Sequence, residues 1–338
     1  MYKYIIYEPY EGTNAYLENM KRCWENKYKV IPHASAEDNL YVLLCTKAIV
    51  LNWIESNLDK KKKKQLLLYK LLGIKIVWVF HNRIPHEFVD SGQQAKTAKK
   101  NMRFMAGISD AIILHSRNSR KYLLECTNNS KKFFYVPHPD YMRQSRWGRD
   151  VQNEDDCFTF VFQGAVLPYK NIELLIKVFK DLKLPDCKLH IAGKAYDEMY
   201  EKKIRELCQG ANICLTLEYL SDSAVGEVIR KANVMVLPYD LRSSMNSGAM
   251  LNAFSNHRTV IVSNNAMAQD YKEKDFLYIY DYSSQQEHYE QLKKTMKVAY
   301  ENGIAANRKM GENAYEYTRK YNGDKAVIHK LEKVIEAI

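Results

Sequence analysis

The chain has 338 residues, 46% of them hydrophobic, and a net charge of +11. That is long enough for two domains of ordinary size. It contains no run of roughly 18 uninterrupted apolar residues, so no membrane-spanning helix is expected. The start, MYKYIIYEPY, lacks the basic lead and long apolar core of a secretory signal and reads as a first core strand. The seven cysteines are scattered and none is spaced CxxC, which suits reduced thiols in a cytoplasmic protein. The charge is lopsided. Residues 1–150 hold 26 Lys and Arg against 14 Asp and Glu, whereas the remainder holds 25 against 26. The first half therefore suits an acidic partner such as anionic or phosphorylated lipid or nucleic acid, and a solvated basic surface would look the same. The usual nucleic-acid motifs are missing, so no nucleic acid is expected as a partner.

In chain order, KYIIYEP (3–9) reads as a strand, with helical signal near 14–26. NLYVLLCT (39–46) reads as a strand and IVLNWIESNL (49–58) as a helix. Lys60 to Lys64 then lead into QLLLYKLLG. IKIVWVFHN (74–82) is a strong strand, 95–108 a helix, 111–116 a strand, 119–125 a short helix, and 132–141 a strand leaving through two prolines. The polar, aperiodic stretch 142–157 reads as an interdomain linker. A second series follows. Strands are predicted at 158–162, 188–193, 212–217, 234–239, 259–264 and 276–280. Helices are predicted at 171–181, 196–208, 221–232 and near 247–256, with two long ones at 284–301 and 306–338. Strands alternating with helices predict parallel sheets with crossovers.

Chemistry concentrates in FTFVFQGAVLPYK, Phe158 to Lys170. A buried strand ends at Gln163-Gly164, and a loop with Pro168 brings Lys170 to the start of an amphipathic helix. Glycine lets the backbone approach a ligand, a helix start offers unpaired N–H groups, and lysine adds a full charge. The combination suits a phosphate or diphosphate. In parallel sheets ligands bind at the carboxyl ends of strands. That rule selects Pro9–Asn14, His81–Glu87, Ser116, His138, Gly164–Lys170, Gly193-Lys194, Glu218–Leu220, Tyr239–Gly248 and Ser263-Asn264.

Several of these ends occur in a telling order: GAVLPYKN, then IAGK, then EYLSDSAVGEVIRKANVMVLPYDLRSSMNSGAMLNAFSNHRTVIVSN, then MGENAYEYTRKYNGDKAVIHKLEKVI. With HNRIPHE, DAIILHS and YVPHPDY in the first half, the series resembles GT-B glycosyltransferases, and most of all the large retaining family 4. The resemblance covers nearly the whole chain. It implies an α/β fold of two Rossmann-like parallel-sheet domains facing an interdomain cleft. Residues 1–145 would form an acceptor-binding domain and 155–310 a nucleotide-sugar-binding domain, with 311–338 a C-terminal helix crossing back to the first. It further implies transfer of a sugar from a nucleotide-diphosphate donor to a hydroxyl of a glycan or lipid-linked saccharide, as in surface polysaccharide assembly, with retention favoured and no metal required.

On this resemblance Lys170 binds the diphosphate, and Lys170 and His81 are the candidate catalytic residues. Gly164, Gly193, Tyr219, Leu220, Tyr239, Ser244, Ser247, Gly248 and Asn252 lie on the donor side, and Asn14, Asn82, His86 and Glu87 on the acceptor side. His81 closes the strongest strand of the first half, and its near-neutral pKa suits proton exchange. A satisfied loop histidine is the bland alternative, and His138 reads as structural. Two departures stand out. Ala165 occupies a place where the family often has arginine, with Arg230 or Arg242 as candidate substitutes. Ser244 and Asn252 stand where two glutamates spaced E-x7-E are usual; both can still hydrogen-bond but carry no charge. Lys60 to Lys64 beside QLLLYKLL fit an anionic membrane surface, which would make the protein peripheral on the inner face of the cell membrane. A core-packed helix with its lysines in water is the alternative. A nucleotide-sugar epimerase on the same architecture, or a degenerate non-catalytic subunit, are the rival functions.

Overall fold

Runs of buried β-branched and aromatic residues become strands, and most end where a polar, glycine or proline residue interrupts the run. The computed structural model describes residues 3–37, 39–56, 58–83, 92–127, 132–144, 157–242 and 244–338. The chain divides into two units, each α/β with one parallel six-stranded sheet. The first comprises Met1–Pro139, Arg242–Asn246 and Tyr321–Ile338, and the second Asp140–Leu241 and Ser247–Lys320.

The first sheet contains β1 (Tyr4–Glu8), β2 (Lys29–Ile31), β3 (Thr46–Asn52), β4 (Lys75–Phe80), β5 (Ala111–Leu114) and β6 (Phe133–Tyr135), in the order β2-β1-β3-β4-β5-β6. The second contains β7 (Phe158–Gln163), β8 (Cys187–Ala192), β9 (Ile213–Thr216), β10 (Val234–Leu237), β11 (Thr259–Ser263) and β12 (Tyr278–Tyr280), in the order β12-β11-β10-β7-β8-β9. Both orders reverse direction once. The reversal lies between β1 and β3, where Glu8 pairs with Leu51, and between β7 and β10, where Val161 pairs with Met235. Helices diverge to opposite faces at such a point, opening a crevice at the carboxyl ends of the two strands.

Three expectations need correction. The stretch 39–46 is not a strand. Asn39 caps a short helix, Leu40–Leu44, by accepting from the Val42 amide at 3.1 Å, and the strand begins at Thr46. The expected helix at 49–58 is instead the body of β3, followed by a 3-10 turn at Ile54–Ser56. Burial decides between the two. Ala48, Ile49, Val50 and Leu51 are wholly buried, whereas Leu40, Tyr41 and Leu44 are exposed. A short apolar run buried on both faces has no periodicity to separate strand from helix. Finally, the pattern at 306–338 is two helices, Gly303–Tyr321 and Asp324–Glu336, broken at Asn322-Gly323. The second helix packs Val327, Leu331, Val334 and Ile335 into the core of the first unit with Tyr16, Leu17 and Met20. Its first turn is clamped by Arg22, whose Nη2 and Nε donate to the two Asp324 oxygens at 2.8 and 3.2 Å. Residues 145–156 of the stretch expected to be a linker lie outside the described residues.

Candidate functional site

In the second unit the reversal point gathers one cation, one aromatic platform and one helix start. β7 is followed by Gly164, whose φ of 141° lies where L side chains are strained. Beside it Gly193 follows β8 with φ 137°, and a Cβ added there would fall 2.0 Å from the Gly164 carbonyl oxygen. Gly193 is thus needed for backbone packing behind the turn, a role separate from any contact with a ligand. Beyond Gly164 the chain makes a 3-10 turn, Pro168–Lys170, and Asn171 adopts a left-handed conformation before the helix Ile172–Leu182. Asn171 Nδ2 donates to the Pro238 carbonyl at 2.8 Å, and the Asp240 amide donates to the Tyr169 carbonyl at 3.2 Å. These two bonds tie the lysine turn to the end of β10.

The tie places Lys170 Nζ 3.9 Å from the centre of the Tyr239 ring and 4.9 Å from that of Tyr169. An ammonium over a tyrosine face is held by the ring's quadrupole. Among the described residues no carboxylate pairs with Lys170, and burial lowers its pKa to about 7. Tyr239 is itself fixed from several sides. Its carbonyl accepts from Ser263 Oγ at 2.9 Å and from the Tyr282 hydroxyl at 3.0 Å, while its phenol accepts from Ser247 Oγ at 3.2 Å. Burial pushes that phenol up to about 12. Ser247 caps the helix Gly248–Ser255 by accepting from the Met250 amide at 3.1 Å. Its hydroxyl is therefore occupied, and what the helix start offers a ligand is the backbone N–H of Gly248 and its successors.

Other donor-side candidates fall differently. Tyr219 is exposed just beyond β9, with Leu220 next to it half-buried. Asn252 accepts from Asn256 Nδ2 at 3.0 Å within its own helix. Ser244 is buried and belongs to the first unit. Arg230 ends the helix Asp222–Arg230 at the amino edge of β10, and its carbonyl accepts from Arg258 Nη2 at 2.7 Å. That edge is opposite the one carrying Lys170, so Arg230 does not replace a cation at Ala165.

In the first unit the reversal point carries a buried aromatic cluster. Tyr16, His81, His115 and His138 are all buried. The Tyr16 ring lies 5.0 Å from His81, 5.3 Å from His115 and 5.0 Å from His138. Trp53 stacks on His81 with centroids 4.3 Å apart. His81 Nε2 bonds Asn52 Oδ1 at 3.0 Å, and Asn246 Nδ2 donates to the His81 carbonyl at 3.0 Å. Burial holds His81 well below 6.5, with His115 and His138 adding to the effect, and lowers His115 to about 3 and His138 to about 4. All three imidazoles are neutral at pH 7. Among the described residues no group of three or more His, Cys, Asp or Glu has metal-holding geometry. His138 Nδ1 donates to the Pro139 carbonyl at 2.9 Å. Asn14 caps the helix Ala15–Glu25 by accepting from the Tyr16 amide, and Asn82 follows His81 half-buried. His86 and Glu87 lie outside the described residues. Asn52, Trp53, Tyr16 and His115 were not among the candidates from sequence. The signal available was Asn52-Trp53 directly after an apolar run, which the helical reading of 49–58 concealed.

Several known proteins resemble the chain. Residues 144–317 match the family model described as glycosyl transferases group 1. Over 112 residues the chain is 30% identical to a GDP-mannose:glycolipid 4-beta-D-mannosyltransferase of Xanthomonas campestris pv. campestris. That match spans 32% of this chain and 32% of the relative, so the chain covers about a third of that enzyme's length. HepE from Anabaena, solved in complex with UDP, aligns over 100% of both chains with a TM-score of 0.75 at 10% identity. Sucrose-phosphate synthase from Thermosynechococcus elongatus aligns over 99% of this chain and 98% of its own, with a TM-score of 0.72 at 13% identity. At these identities the likeness is one of fold, and the fold is GT-B. The matched segment takes in more than half of the chain and carries β7, Lys170, Tyr239 and the helix Gly248–Ser255, and the chain belongs to the glycosyl transferases group 1 family.

Proposed function

We propose that the protein is a glycosyltransferase that binds a nucleotide-diphosphate sugar at the reversal point of its second sheet. It moves the sugar to a hydroxyl of a glycan or lipid-linked saccharide. The observation that carries this reading is Lys170, a cation without a carboxylate partner among the described residues, held beside a helix start at the carboxyl edge of β7 and β10. A diphosphate supplies the missing anion. As the glycosidic bond to the donor breaks, charge grows on the diphosphate, and Lys170 with the N–H groups at Gly248 stabilises it electrostatically. The relatives support donor and acceptor classes of this kind: HepE was solved with UDP, and the Xanthomonas enzyme is named for GDP-mannose and a glycolipid. The family 4 resemblance supports retention of configuration and a reaction without metal.

A screen of nucleotide sugars for thermal stabilisation, followed by product analysis, tests the reading. Lys170→Ala should weaken donor binding roughly 10- to 150-fold, the worth of one charge-assisted hydrogen bond. Unchanged affinity would remove Lys170 from the site. One observation favours a rival. Ser244 and Asn252 replace the two usual glutamates, which suits a degenerate subunit, and donor binding without transfer to any acceptor would support it. Epimer formed from donor alone would instead support an epimerase.

The acceptor reading extends to a membrane surface and a cytoplasmic location. On the helix Lys60–Leu71 the exposed residues Lys60, Lys61, Lys64, Leu67, Leu68 and Leu71 recur at helical spacing, so basic and apolar residues share one solvent face. Leu66 and Tyr69 face the core, and Lys62 and Lys63 are tied to Glu8 and Asn101. Leu71 is 85% exposed. Each lysine near an anionic bilayer adds about 1 kcal/mol. No helix among the described residues is long and apolar enough to cross a membrane. Vesicles containing phosphatidylserine should bind the wild type at low salt and release a Leu68→Ser, Leu71→Ser variant. Equal binding by the variant would remove this face as the contact.

A further inference from the structure

Three neutral imidazoles share one cluster, yet their proton positions are not interchangeable, because each ring's neighbours dictate which nitrogen carries hydrogen. Asn52 is the key to His81. Its Nδ2 donates to the Glu8 carbonyl at 3.2 Å, across the reversal point between β1 and β3. That bond fixes the amide so that Oδ1, an acceptor only, faces His81 Nε2 at 3.0 Å. His81 must then carry its proton on Nε2. Its Nδ1 keeps a lone pair and has no hydrogen-bond partner among the described residues. His115 is fixed the other way. Its Nδ1 donates to the Val136 carbonyl at 2.9 Å, so its Nε2 accepts from the Tyr16 hydroxyl at 2.7 Å.

The orientation of the His81 ring is equally constrained. Trp53 stacks on one face with the planes 19° apart, and Tyr16 meets the ring edge-on at 87°. Trp53 does so from a φ of 49°, a left-handed conformation that is unfavourable for a bulky side chain. A strained backbone at the end of β3 thus delivers both the amide that sets the proton and the indole that sets the plane. Among the described residues, the titratable groups packed around His81 are Tyr16 and His115, with His138 5.3 Å from His115.

We infer that Asn52, anchored on the Glu8 carbonyl, is a positioning residue that holds His81 in the Nε2–H tautomer and leaves Nδ1 as a standing acceptor for a substrate hydroxyl. The inference rests on the glycosyltransferase reading for the identity of that hydroxyl, an O–H of the acceptor. No proton need move for this role: the hydroxyl donates and Nδ1 accepts. Burial supports it by keeping the ring neutral, since an imidazolium would present N–H on both sides.

Histidine side-chain proton–nitrogen correlation spectra of the 15N-labelled full chain test the arrangement, with His81→Gln used to assign the ring. The wild type should show His81 protonated on Nε2 alone and His115 on Nδ1 alone. Asn52→Leu should return His81 to a mixture of tautomers while His115 stays as it was, which separates a local effect from loss of the fold. Asn52→Asp should place a carboxylate against Nε2–H and raise the His81 midpoint, converting Nδ1 to a donor on the acid side. With the nucleotide sugar found in the donor screen, both variants should lose roughly 5- to 150-fold in kcat/KM, the cost of one hydrogen bond left unmade. Asn52→Asp should lose most at low pH. A wild-type His81 protonated on Nδ1, or a tautomer unmoved by Asn52→Leu, overturns the inference even if sugar transfer is observed. The stated tautomer with no nucleotide sugar turned over by the wild type overturns the role toward a sugar hydroxyl, and with it the reading on which that role rests.

Discussion

At the scale of the residue, the most informative group is Lys170. Water would hold its amine protonated far above neutrality, but burial without a carboxylate lowers its pKa to about 7. The Tyr239 ring beneath it, 3.9 Å away, compensates only in part. A bound diphosphate would reverse the balance, because an adjacent anion favours the charged form. The sign follows. Above about pH 7 the free amine is mostly neutral and the bound one protonated, so binding takes up a proton. Well below pH 7 both are protonated and the uptake vanishes. Calorimetry of nucleotide diphosphate binding in two buffers of different ionisation heat measures this directly. Uptake approaching one proton near pH 8, lost in Lys170→Met, is the expected result. Uptake that persists in the variant would assign the proton to another group.

At the scale of the element, the turn behind Lys170 depends on two glycines with different burdens. Gly164 needs its glycine for φ alone, since a Cβ there would meet nothing nearer than 3.9 Å. Gly193 needs it for φ and for space, with the Gly164 carbonyl 2.0 Å from where a Cβ would sit. Backbone cannot swing aside as a flexible side chain can. Gly193→Ala should therefore lower stability by more than Gly164→Ala, which carries a strain of about 1–3 kcal/mol. Urea unfolding of the two variants compares them, and equal losses would mean that β7 and β8 part easily. The same elements show what the sequence made legible. The second half was readable because each apolar run is closed by a turn residue and followed by an amphipathic segment, and Lys170, Ser247 and Gly248 sit at those junctions. β3 was not readable, since its buried run has no period, and the three-residue β2 is too short for one. Asn52 and Trp53 were lost with β3. The ties from Asn171 to Pro238 and from Ser263 and Tyr282 to Tyr239 join strand ends that only the strand order makes neighbours.

At the scale of the whole molecule, buried histidines and uneven charge act together. His81, His115 and His138 in the first unit, and His190 and His288 in the second, all have pKa values below the ordinary 6.5. His288 falls to about 4, its Nε2 bonded to the Tyr280 hydroxyl and its ring stacked on Tyr282. A histidine that stays neutral when folded takes up a proton only on unfolding once the pH drops below 6.5. The unfolded state then binds more protons, and stability falls as pH falls, down to the folded pKa. The contribution is complete above 6.5 and is lost between 6.5 and about 4. For one such group the loss at pH 5 is about 2 kcal/mol, against a usual total of about 5–15 kcal/mol. The first unit has more of these groups and also lies mostly in the half of the chain with 26 basic against 14 acidic residues, where added protons increase self-repulsion. Acid should therefore unfold the first unit ahead of the second. Hydrogen exchange of the full chain at pH 7 and pH 5 measures this segment by segment. Protection should drop more in β1, β3 and β4 than in β7, β8 and β10, and His115→Gln should narrow the difference. An equal drop in both sheets would mean that the buried histidines of the first unit are not what limits its stability in acid.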